Sequence, residues 1–125
     1  MIEDDLCQLV RDATDAPDVL VIPRYIPADQ PDCICIQAVG GSSVSSTIRR
    51  AVHYVSVMGV ARDQPAARRL MKWARDYLTM NIPAEAPGGR WLYTAVPTAS
   101  GSRQLKSTRG PTYIESITLE VEASI

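Results

Sequence analysis

The chain has 125 residues, of which 46% are hydrophobic and 22% charged, and its net charge is -1. That length predicts one domain over residues 1–125, and the apolar share excludes a disordered chain, which lacks the Val, Ile and Leu to build a core. No apolar run approaches the roughly 18 residues of a membrane helix, the first residues MIEDDLCQLV are acidic where a secretory signal is basic, and so even a charge balance does not mark the whole molecule for nucleic acid.

Ile2, Leu6, Leu9 and Val10 recur at spacings of four and three, which predicts a short amphipathic helix over residues 2–13. Ala16-Pro17 stops it, and the β-branched run 19–22 predicts the first strand. Pro23, Pro27 and Pro31 then exclude a paired central strand, so this stretch reads as an ordered loop or an edge. Residues 33–39 are nearly all apolar, the pattern of a strand covered on both faces. Gly40-Gly41 and a Ser-rich loop follow. Residues 49–61 read as a long strand, with Val52, Tyr54, Met58 and Val60 on one face and Ala51, His53, Val55 and Val57 on the other. Burial on both faces of such a strand calls for helices on one side and a second layer on the other, or for a face reserved for another subunit.

The next helix is the best marked. Asp63 suits the N-cap, Pro65 the first turn, and Ala67, Leu70, Ala74, Tyr77 and Leu78 form its apolar stripe. Its other face carries Arg68, Arg69, Lys72, Arg75 and Asp76, and Asn81 with Pro83 ends it, Asn81 being a residue that favours a left-handed cap. Gly88-Gly89 turns the chain into a strand over 90–96, and 97–111 reads as a long loop. In 113–125, Ile117, Leu119, Val121, Ala123 and Ile125 alternate with Ser116, Thr118, Glu120, Glu122 and Ser124, a half-exposed strand. The order helix, strand, strand, strand, helix, strand, strand predicts an α+β domain. Its sheet is largely antiparallel, four- to five-stranded and packed by two helices.

Charge is uneven along the chain. Residues 1–18 hold six acids and one base, whereas 86–114 hold four bases and no acid. Copies of the chain docking pole to pole, two poles facing different partners, and plain solvated charge all fit this pattern. Three cysteines without an export signal argue against a disulfide framework, and Cys33 and Cys35 sit on one strand face as small hydrophobes. With His53 the only histidine, no zinc ligand set is evident, and no cofactor is implied.

Gly40-Gly41-Ser42-Ser43 lacks the Gly-Lys-Ser/Thr ending of a phosphate loop. A serine hydrolase needs a base near its nucleophile, and His53 lies mid-strand with apolar neighbours, the setting of a core or interface residue. Glu120 and Glu122 share the polar face of the last strand, as a solvated edge rather than a catalytic pair. No catalytic residue is therefore nominated, and the chain reads as a non-enzyme. The loop around Arg103, Lys106 and Arg109 is longer than a hairpin needs, which suits either contact with phosphates or acids, or plain mobility. Trp73 and Trp91 suit core anchors.

Taken together, the N-terminal helix, the Pro-rich stretch into Cys33-Ile34-Cys35-Ile36, the strand 50–60, the helix 66–78, and Trp91-Leu92-Tyr93-Thr94-Ala95-Val96-Pro97-Thr98 followed by a polar loop and Tyr113-Ile114-Glu115-Ser116-Ile117-Thr118-Leu119-Glu120-Val121 span almost the whole chain. This order resembles the small minor capsid or tail-terminator (tail-completion) proteins of tailed bacteriophages. The resemblance implies a homo-oligomeric ring, commonly of six subunits, that caps the tail tube, ends its growth and meets the head connector. It also implies a place at the tail-head junction of the virion, assembly in the host cytoplasm, and DNA passing through the lumen without sequence specificity. Arg103, Lys106 and Arg109 are then expected to face tube, connector or DNA, and Glu3, Asp4, Asp5, Arg49 and Arg50 to make subunit contacts. A head-tail connector or stopper ring and, more distantly, a small ligand-binding α+β domain are the competing readings.

Overall fold

The computed structural model describes residues 2–24, 32–41, 50–98, 103–105 and 112–122, with backbone only for 41, 50 and 103–105. Helix α1 (Ile2–Arg11) leads into strands β1 (Leu20–Pro23), β2 (Cys33–Gly41) and β3 (Arg50–Val60). Helix α2 (Gln64–Asn81) follows, and then β4 (Ala84–Glu85), β5 (Trp91–Pro97), β6 (Arg103–Leu105) and β7 (Thr112–Glu122). The fold is α+β.

Among the described residues the sheet has seven strands in the order β1-β2-β3-β7-β5-β4, with β6 also paired to β7. β1 runs parallel to β2, and the other pairings are antiparallel. Two short strands raise the count above the four to five expected. β4 has two residues and β6 three, too few for alternation to register. β6 lies within the stretch read as loop. It pairs with residues 112–114 of β7 while β5 pairs with 117–121, so β5 and β6 are collinear pieces of one interrupted strand along the same side of β7.

β7 is therefore central, flanked by β3 on one side and by β5 and β6 on the other. The solvated edge expected for Glu120 and Glu122 is corrected on this point: alternation reports one open face, and a central strand under a one-sided helical layer shows the same pattern as an edge.

Both helices cover one face. From α1, Ile2, Leu6, Cys7 and Val10 meet Val21, Ile34 and Ile36, while Ala74 and Leu78 of α2 join Val55, Val57, Ile117, Leu119 and Val121 in the same buried cluster. Each large side chain buried there contributes about 1.5–3 kcal/mol. α2 comes closest at Gly59 of β3, where an added Cβ would fall on the Ala67 carbonyl oxygen and the Met71 amide nitrogen. Asp63 caps α2 by accepting from the Ala66 N–H at 2.8 Å, with Pro65 in the first turn. At the other end the C-cap is Ile82 in extended conformation (φ -92), not a left-handed Asn81, whose side-chain amide instead donates to the Tyr77 carbonyl at 2.8 Å.

The second face of the sheet carries no described helix. Cys35, Met58 and Ile114 form a smaller buried cluster at one end. At the other end Tyr54 and Val96 stay 45% and 55% exposed. Both are in register with Thr118, so they share one row across β3, β7 and β5. No helix among the described residues is long and apolar enough to cross a membrane.

Candidate functional site

The burial pattern of α2 fixes what its outer surface offers. Ala67, Met71, Ala74 and Leu78 point into the core, which turns Arg68, Arg69 and Lys72 to solvent. Together with Gln64, Pro65 and Tyr113 of β7 they line a cleft of about 380 Å³. Arg62, just before the N-cap, is exposed as well. Among the described residues none of these four cations is in an ion pair.

Arg75, on the same helix, is different. Its Nη1 donates to Glu115 Oε2 at 2.6 Å, and its Nε and Nη2 donate to Asp76 Oδ1 at 3.0 and 2.7 Å. Glu115 is 3% exposed on the helix-covered face of β7. This cation is consumed by the fold, and its neighbours one turn earlier are not. A second depression, lined by Pro17, Arg69, Leu70, Lys72, Trp73 and Asp76, continues the same surface, and Trp73 stacks on Tyr77 with ring centroids 5.5 Å apart.

The acidic end divides in two. Glu3 is 4% exposed, accepts from the Ala38 N–H at 2.9 Å and lies 3.7 Å from Arg24 Nη1. It thereby satisfies a β2 donor beyond the last residue paired with β1. Asp4 is exposed and accepts from Arg24 at 3.2 Å through both oxygens, which holds its carboxyl below the ordinary value. Asp5 is half-buried, beside Gly88. Of the expected subunit contacts, Glu3 and Asp4 are thus also tied within the chain. Arg50 heads β3 in register with Glu122, and Arg49 lies outside the described residues. Arg103 begins β6 in register with Ile114, whereas Lys106 and Arg109 fall outside the described residues.

The potential nucleophiles sit in apolar surroundings. Burial pushes the Cys7 and Cys33 thiols up to about 11 and that of Cys35 to about 12, so all three hold their protons near neutral pH. Burial, and to a lesser extent Arg90, pulls His53 below its ordinary value. No three His, Cys, Asp or Glu side chains among the described residues come together as a metal site.

The basic surface of α2 was visible in the sequence as the helix's polar face, but not as a site. What sets it apart is which cations find acids in the fold. Comparison with protein-family models and with curated proteins finds no match for this chain.

Proposed function

We propose that this chain is a structural protein of tailed bacteriophages, a subunit of a ring that caps the tail tube, ends its polymerisation and joins tail to head. One observation carries the reading: both helices cover one face of the sheet, while Tyr54 and Val96 share an exposed row on the other. A small ring subunit needs such a face to meet its neighbours. The exposed cations of α2 are compatible with a lumen or junction where DNA passes, and the buried thiols and depressed His53 suit a structural role.

The experiment is assembly on tail tubes, followed by light scattering of the free chain and by electron microscopy of tubes with and without it. A mass near six subunits, or a monomer that forms rings only on tube ends and stops their growth, supports the reading. A monomer that ignores tubes overturns it, and binding to a portal-side connector instead transfers the chain to the stopper class. In the virion, charge reversal of Arg103, Lys106 and Arg109 is expected to leave the chain folded and to block tail joining; normal infectious particles would remove that loop from the mechanism.

A further inference from the structure

We infer that the outer surface of the first half of α2 is a binding surface for the phosphate backbone of duplex DNA, read without sequence preference. Arg68, Arg69 and Lys72 line one cleft with Gln64 and Tyr113. Two guanidinium groups, an ammonium, an amide and a phenol are all hydrogen-bond donors, the set that takes phosphate oxygens, and arginine does so through two parallel bonds. Among the described residues these cations stand outside the ion-pair network, although Arg75 and Asp76 on the same helix are inside it.

A second copy of the chain is the other candidate occupant, and its acids do not match. Asp4 is held by Arg24, Asp63 by the α2 cap and Asp12 by Gln8. The remaining exposed acids among the described residues, Asp15, Asp18, Glu85 and Glu122, are spread over the loop after α1, β4 and the end of β7. A polyanion with closely spaced charges fits three adjacent cations better than scattered carboxylates do. The choice of DNA among polyanions rests on the ring reading above; the anionic character of the ligand does not.

The test is fluorescence anisotropy of a labelled mixed-sequence duplex titrated with the full chain. Three phosphate contacts predict affinity falling about 40-fold between 50 and 200 mM salt, equally for unrelated sequences. Charge reversal R68E/R69E/K72E should weaken binding at least about tenfold and flatten the salt dependence. R68Q/R69Q, which removes the charge but keeps a polar side chain of similar helix propensity, should show a smaller loss in the same direction and guards against a reversal that fails to fold. Wild-type affinity in both variants overturns the proposal. So does self-association that the wild type shows and R68Q/R69Q loses without any DNA binding, which would make the surface a contact between copies. Capping of tail tubes is scored without DNA, so failure of the ring reading and failure of this surface are separate results.

Discussion

The two helices dock on the same sheet face by different means. α2 lies so close to β3 that the position beneath it is Gly59, and it sends Arg75 to a carboxylate buried on β7. α1 is shorter and inserts an apolar stripe, while its polar contacts sit at the margin: Glu3 on the Ala38 N–H, Arg11 Nε on the Val21 carbonyl at 3.0 Å, and Asp4 against Arg24 in solvent. The difference teaches that similar ion pairs carry unequal weight. A buried charge has no water to fall back on when its partner is lost, and an exposed one does.

Removing the Arg75 partner is the strongest way to break that comparison. R75M leaves Glu115, 3% exposed, without its cation, and is expected to cost about 3–5 kcal/mol in urea unfolding. The double variant R75M/E115L replaces the pair by apolar groups and should recover most of that loss, because the penalty belongs to the orphaned carboxylate and not to the missing attraction. A single variant that unfolds at the wild-type midpoint would mean that Glu115 finds water or another partner, and α2 would then be no more firmly bolted than α1.

Much of this arrangement could be read from residue order. The α2 cap at Asp63, its apolar stripe and the inward residues of β7 follow from local chemistry and period. The same alternation that places Ile117, Leu119 and Val121 inward also places Glu115 there, a signal that a buried cation had to come from elsewhere. Its source, Arg75, was one of five polar residues on the outer α2 face, and only tertiary contact separates it from Arg68, Arg69 and Lys72. β4 and β6 escape because two or three residues hold no period. The centrality of β7 escapes because the open sheet face leaves Ser116, Thr118 and Glu120 partly exposed, as an edge would. Arg24 takes a left-handed conformation (φ 72) with no glycine or asparagine to announce it.

The close approach at Gly59 gives the next effect in size. In G59A the added methyl would meet backbone atoms of α2 on both sides, not the end of a flexible side chain. The helix must lift or slide, at an expected cost of about 1–3 kcal/mol from overpacking. Thermal unfolding followed by far-ultraviolet circular dichroism measures it, with G40A as the contrast. The Gly40 Cβ position is open, its nearest neighbour being Tyr54 at 3.9 Å, but its φ of +152 adds backbone strain. A G59A protein as stable as wild type would show that α2 is free to shift on the sheet, and the distinction between the helices would narrow to the Arg75 pair.

The smallest effect lies at the α1 margin. The hydrogen bond and charge of Arg24 lower the Asp4 carboxyl from its ordinary 3.8. The folded value is therefore below the unfolded one, so the contribution is present above 3.8 and is lost as pH falls through the folded value. D4N removes it at neutral pH, and because both partners are exposed the urea midpoint near pH 7 should fall only slightly. As pH falls through the folded value the wild-type carboxyl takes up its proton, and the difference between the two proteins should close. A D4N loss at neutral pH as large as that of R75M would make the exposed pair equal to the buried one, and would place the anchoring of α1 in Asp4 instead of in Leu6, Cys7 and Val10, all fully buried beneath it.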